Sequence, residues 1–110
     1  MIALGCDIEE IKRFENKSSA FLNRVFTKSE LDYCAKFKNP ASHLCARFCA
    51  KEAVIKAFGL IGISLYLSDI EILNKPTGAP YAIVKKYPDK QISISMSHCK
   101  NYAISNAVVM

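Results

Sequence analysis

Residues 47–59 read RFCAKEAVIKAFG. At about 100° per residue, Phe48, Ala50, Ala53, Val54, Ile55 and Ala57 wrap most of the circumference, so the spacing predicts a helix buried on most sides. Two polar pairs interrupt it, each one turn apart: Arg47 with Lys51, and Glu52 with Lys56. The expectation is a largely buried helix with two polar windows. Upstream, Asn39 and Pro40 supply an N-cap and a first-position proline. Downstream, Gly59 supplies a C-terminal stop. The longest element of the chain is therefore predicted over residues 40–58.

The flanking pattern sets the class. Residues 2–8 alternate, with Ile2, Leu4, Cys6 and Ile8 on one face and Ala3, Gly5 and Asp7 on the other, which predicts a short strand presenting Asp7. Residues 9–26 read as helical, with a break near residues 16–19. Thr27 and Glu30 form a capping box that opens a helix through Phe37. Beyond a loop around Gly62, residues 68–73 and 81–86 read as strands joined by the turn NKPTGAP. Residues 91–98, QISISMSH, alternate cleanly, and the last strand follows the turn CKN. Helices gather in the first half and antiparallel strands in the second, with the first strand free to join them. The class is α+β, as one domain over residues 1–110.

Bulk properties narrow the partners. A chain of 110 residues fits a single domain whose limited burial favours help from an oligomer interface. With 51% hydrophobic and 23% charged residues it is an ordinary globular sequence. A net charge of +5 favours a negatively charged partner. No apolar run approaches membrane-spanning length, and the first residues are too acidic for a signal peptide. Cys6, Cys34, Cys45, Cys49 and Cys99 form no CxxC pair, so reduced thiols and a cytoplasmic location are expected.

Taken alone, Glu52 and Lys56 form an ordinary i,i+4 pair, worth about 0.2–0.5 kcal/mol. Their apolar setting makes an idle charge costly. Lys56 also leads straight into a glycine-bearing loop, and a second carboxylate, Asp7, stands at a strand end. Two carboxylates from separate segments with a lysine beside them suit Mg²⁺ bound together with a diphosphate, because Mg²⁺ takes hard oxygen ligands and shares them with phosphate and water.

Several blocks carry a resemblance. GCDIEEIKR, RVFTKSEL, ARFCAKEAVIKAFG, SDIEI and ISMSHCKNYAIS resemble, in order and at compatible spacing, the blocks of the holo-acyl-carrier-protein synthases, within the 4′-phosphopantetheinyl transferases. The resemblance covers nearly the whole chain. It implies transfer of 4′-phosphopantetheine from coenzyme A to a serine of apo acyl carrier protein, with Mg²⁺ and release of adenosine 3′,5′-bisphosphate. It implies Asp7 and Glu52 as metal ligands and Lys56 beside the diphosphate, these three forming the catalytic set. Arg47 and His98 match positions at the nucleotide end of coenzyme A, and Gly59 lies where the phosphate loop begins. Arg13 matches a basic residue that meets the acidic carrier helix, with Lys17 and Arg24 in the same basic region. The family resemblance also implies a homotrimer with each site between two subunits. The sequence departs from the family at FGLIGI, where FGTGI is common, and at GAP, where GKP is common.

In this reading the serine proton goes to Glu52 or to a water on the metal. Cys45 and Cys49, one turn apart near His43, read as core packing rather than a zinc site, since no second cysteine pair accompanies them. Two rival functions fit parts of the sequence. A small basic nucleic-acid-binding module fits the charge, but the strands offer no stacking platform. A coenzyme A or nucleotide pyrophosphohydrolase fits the same metal site with water as acceptor. Neither nucleic acid nor membrane is expected as a partner.

Overall fold

A computed structural model describes residues 1–110. Strand β1 (Ala3–Glu10) is followed by a 3₁₀ turn at Ile11–Phe14, helices α1 (Ser19–Val25), α2 (Lys28–Ala35) and α3 (Pro40–Leu60), and a second 3₁₀ turn at Leu67–Asp69. Strands β2 (Ile70–Asn74), β3 (Pro80–Val84), β4 (Ile92–His98) and β5 (Tyr102–Val109) complete the chain. The strands form two antiparallel sheets. One has the order β1-β5-β4, and the other is the β2-β3 hairpin. The expected α+β class holds, and β1 joins the C-terminal strands by pairing with β5.

Helix α3 is the spine. Ala50, Ala53, Val54, Ala57 and Phe58 pack with Ala3, Ala107 and Val109 into one part of the core, and Leu44, Cys45, Ala46 and Cys49 pack with Ile11, Phe14 and Ala103 into the other. The facing side chains are small, so strand and helix approach closely. At Gly5 the approach is closest: a β-carbon there would lie 1.8 Å from the Ala53 carbonyl oxygen. Only glycine admits that packing.

Four local expectations change. First, β1 runs on to Glu10, because Glu9 and Glu10 pair with Ala103 and Tyr102 and Ile11 N–H donates to Asn101 O at 2.9 Å. The ladder satisfies backbone groups that a helix over residues 9–26 would have claimed. What remains of that helix is the 3₁₀ turn, which buries Ile11 and Phe14 three residues apart, and α1, capped by the Ser18 hydroxyl. Second, Gly59 does not stop α3. The helix continues to Leu60, and Gly62, at φ +80°, is the left-handed residue. Ile63 N–H donates to Phe58 O and Gly62 N–H to Gly59 O, the paired bonds of a Schellman end.

Third, the Arg47–Lys51 side of α3 is no window to solvent. Arg47 is 2% exposed and Lys51 is fully buried. Lys51 Nζ lies 2.8 Å from Glu30 Oε1, itself fully buried, and donates to Val25 O at 2.7 Å. Glu30 also accepts from Thr27 N, completing the expected capping box, and from Ile72 N. One buried ion pair thus ties α1, α2, α3 and β2 together. Fourth, Asn39 occupies the N-cap position of α3 but its side chain makes no capping bond; the proline fits as expected.

The two faces of β1 are also told apart: the more apolar one points away from the helix. Leu4, Cys6 and Ile8 are exposed, and they sit beside Val108, Asn106 and Ile104 of β5. The small face, Ala3 and Gly5, is the one that fits under α3.

Candidate functional site

Asp7 leaves the inward face of β1 two residues after Gly5, so the tight strand–helix packing carries its carboxylate to the side of α3 that bears Glu52 and Lys56. Lys56 Nζ lies 3.2 Å from Asp7 Oδ1 and donates to the Cys6 carbonyl at 3.0 Å. The i,i+4 bond from Lys56 to Glu52 does not form; the lysine crosses to the strand instead. Asp7 Oδ2 is buried without a hydrogen-bond partner. Glu52 is half-buried, and its carboxyl is held above the usual carboxylate range, first by burial and then by the Asp7 charge. Glu9 stands two residues along the same inward face. Burial, then the neighbouring Asp7 carboxylate, push its carboxyl up to about 6. Lys56 shifts upward through its bond to Asp7. The cluster is short of positive charge.

That deficit is the observation against which a divalent cation is tested. Asp7 has an oxygen to spare and Glu52 has two, and all are hard ligands. No set of three or more His, Cys, Asp or Glu side chains converges on one point. A two-carboxylate site that leaves most positions to phosphate and water fits Mg²⁺.

A second group lies on another side of α3. Arg47 donates to Asn74 Oδ1, its guanidinium lies 4.3 Å from the Tyr33 ring centroid, and its Nε is buried without a partner. Asn74 is oriented by its own amide, which donates to Gly78 O at 2.9 Å. With Tyr33, Lys36 and Tyr81 these residues line an open cleft of about 360 Å³. Tyr33, Phe37, His43 and His98 continue as a chain of rings: Phe37 stacks on His43 at 3.6 Å, and His98 meets the edge of His43 at 5.8 Å. Burial, then the charges of His98 and Arg47, hold His43 below its ordinary value.

The family model of the 4′-phosphopantetheinyl transferase superfamily matches residues 3–107. The chain belongs to this superfamily. Curated relatives agree along their whole length. The chain is 44% identical to the holo-[acyl-carrier-protein] synthase of Protochlamydia amoebophila, covering 97% of this chain and 96% of that one, and 39% identical to that of Chlamydia muridarum, covering 98% and 94%. Among solved structures, the Helicobacter pylori holo-[acyl-carrier-protein] synthase in complex with coenzyme A superposes at a TM-score of 0.82, with 34% identity over 97% of this chain and 99% of that one. The Bacillus anthracis enzyme, in complex with CoA (3′,5′-ADP), superposes at 0.82 with 29% identity over 97% and 94%.

Within this transferase superfamily member, then, the fold brings Asp7, Glu52 and Lys56 together and sets Arg47 and His98 elsewhere, on either side of His43. Gly59 is an exposed residue of the last helical turn, with open space around its α-carbon. Arg13 forms an ion pair with Glu9, Lys17 lies over the Phe21 ring at 4.8 Å, and Arg24 is exposed. Sequence reasoning missed Glu9, His43, Tyr33 and Asn74. His43 was detectable, since it precedes Arg47 by one turn. Glu9 was detectable only by extending the alternation of β1 two residues further.

Proposed function

We propose that this protein transfers the 4′-phosphopantetheine group of coenzyme A to a serine of apo acyl carrier protein, in a Mg²⁺-dependent reaction, yielding holo carrier and adenosine 3′,5′-bisphosphate. One observation carries the reading: two carboxylates 45 positions apart in the chain, Asp7 and Glu52, sit close enough for one charge to disturb the other, with Lys56 bonded between strand and helix beside them. The relatives named holo-[acyl-carrier-protein] synthase, and the coenzyme A bound by the H. pylori structure, support the substrates.

Asp7 and Glu52 would hold the ion. When bound, it supplies Lewis acidity to the diphosphate and withdraws charge from the leaving phosphate. Lys56 binds a phosphate oxygen and stabilises the charge that grows there. Glu52, with no hydrogen-bond partner in the protein, keeps an oxygen free to accept the serine proton. Arg47, Lys36 and the two tyrosines of the cleft offer charge and ring faces to the nucleotide end with its 3′-phosphate, and His98 stands at the end of the ring chain. These groups position; transfer itself depends mainly on alignment and charge neutralisation.

The separation of the two groups on one chain supports a shared site, in which Asp7, Glu52 and Lys56 of one copy face Arg47 and His98 of another. The exposed pair Ile8–Ile104, and exposed Leu4 beside half-buried Val108, on the outer sheet face support assembly. Three copies is the number that the family resemblance implies. Carrier docking is assigned to Arg13, Lys17 and Arg24, whose charge suits an acidic partner. A cytoplasmic location is supported by five free cysteines, and no helix is long and apolar enough to cross a membrane.

The experiment is a mass spectrum of apo carrier protein after incubation with this protein, coenzyme A and Mg²⁺. One added phosphopantetheine arm is expected. Cleavage of coenzyme A without carrier, and no arm on the carrier, would mean a hydrolase.

A further inference from the structure

The extra length of β1 places a residue that the transfer reaction does not use. Asp7 and Glu9 share the inward face of the strand, and Glu9 is only 14% exposed, whereas Arg13, its ion-pair partner, is 55% exposed. Lys56 serves Asp7, and Arg13 serves Glu9. Three carboxylates, Asp7, Glu9 and Glu52, thus face two cations. Both cations are about half exposed, and Arg13, the one assigned to the carrier rather than to phosphate, lines with Ile8, Glu9, Glu10 and Tyr102 an open surface hollow of about 290 Å³.

We propose that Glu9 competes with the carrier protein for Arg13, and that this competition couples carrier docking to cation binding at Asp7 and Glu52. The proposal rests on the preceding assignment of the cation and carrier sites. A carboxylate of the acidic carrier drawn to Arg13 takes the guanidinium from Glu9. Glu9 cannot follow it into solvent, because it is nearly buried. Its charge is then uncompensated beside Asp7, and the attraction on a divalent cation rises. Linkage requires the converse: a bound cation compensates Glu9, loosens its hold on Arg13 and frees Arg13 for the carrier. Glu9 acts through space rather than as a ligand, since no three acidic groups converge on one point.

The test measures Mn²⁺ affinity by calorimetry or electron paramagnetic resonance, with and without saturating apo carrier and without coenzyme A. It compares the full-length wild type with Glu9→Gln, Arg13→Ala and Asp7→Asn. In the wild type, carrier should tighten Mn²⁺ binding about 5- to 20-fold, an ordinary coupling. Glu9→Gln should bind Mn²⁺ more weakly and carrier more tightly, and carrier should no longer change Mn²⁺ affinity. Arg13→Ala, a change at an exposed side chain that spares the fold, should bind Mn²⁺ more tightly than wild type with no carrier response. A carrier response that persists undiminished in Glu9→Gln, or wild-type affinities for both ligands in that variant, overturns the proposal alone. Mn²⁺ affinity unchanged in Asp7→Asn overturns the site assignment, and the coupling with it.

Discussion

Lys56 Nζ reaches across from α3 to Asp7 Oδ1, 3.2 Å away on β1, and leaves Glu52, one turn before it on its own helix, unpaired. The lysine is about half exposed, so the ion pair adds little to stability. Its use is positional: it orients one Asp7 oxygen and leaves the other unpartnered. Asp7→Asn and Glu52→Gln should therefore unfold at nearly the wild-type temperature and lose about 10²-fold or more in kcat/KM for carrier modification. Steady-state kinetics beside a thermal melt distinguishes these outcomes from a folding defect. Wild-type turnover by either variant would remove it from the catalytic set.

Gly5 gives a different kind of test. An added methyl meets the Ala53 carbonyl, a backbone atom of α3 that cannot swing aside. Gly5→Ala should cost about 1–3 kcal/mol in urea unfolding, as overpacking does. Because the strand must lift, Asp7 also moves relative to Glu52. Activity should fall even where the variant remains folded, and Mn²⁺ binding should weaken in step.

The sequence disclosed some of this more readily than the rest. The α+β class, the capping box at Thr27–Glu30 and the alternation of β4 depend on local pattern, and local pattern is visible. The alternation of β1 placed Asp7 on one face with Ala3 and Gly5 but did not show that this face packs inward, because the more apolar face is the exposed one. The end of α3 was not: Gly59 and Gly62 are both plausible stops, and only the bonds made by Ile63 and Gly62 decide between them. Arg47 and Lys51 were read as a polar window because periodicity gives the angle of a residue and says nothing of what packs there. Glu30, far off in the chain, turns that side into a buried ion pair. Glu9 escaped notice because its neighbours favour helix locally, and pairing with β5 overrides the preference.

The pair Lys51–Glu30 should behave as a buried charge pair does. Lys51→Met leaves the Glu30 carboxylate without its cation in the interior, and unfolding should show a loss of about 3–5 kcal/mol. Adding Glu30→Gln removes the stranded charge while keeping an acceptor for one of the two backbone N–H groups, those of Thr27 and Ile72, that the two carboxylate oxygens serve. The double variant should therefore be more stable than Lys51→Met alone. Additive losses in urea titrations would mean that the two side chains do not share one network.

Assembly has its own test. Ile8→Glu places a charge in the exposed apolar strip of the outer sheet face, and light scattering should show a smaller particle with reduced activity. If the site is shared between copies, two inactive variants repair each other. Glu52→Gln and Arg47→Ala, each inactive alone, should regain part of the wild-type rate when unfolded together and refolded as a mixture, since some assemblies will carry a site intact on both sides. No recovery from the mixture would place both groups in a single-chain site.

His43 should report on its surroundings through pH. Phe37 stacks on one face of the ring, His98 of β4 meets its edge, and Arg47 lies one turn along α3. Burial, then the charges of His98 and Arg47, lower its value below the ordinary 6.5. The sign follows. Above about pH 7.5 His43 is neutral in both folded and unfolded chains and makes no pH-dependent contribution. As pH falls through 6.5, the unfolded chain takes up a proton that the folded chain resists, so the folded state loses stability until its own lower value is passed. His43→Gln removes that loss. At pH 8 the variant should melt lower than wild type, having given up a ring stack worth about 0.5–1.5 kcal/mol. Between pH 7.5 and 5 the gap should narrow, because only the wild type pays the proton cost. Melting curves across that range decide the matter: a gap that stays constant with pH would show that His43 titrates alike in both states.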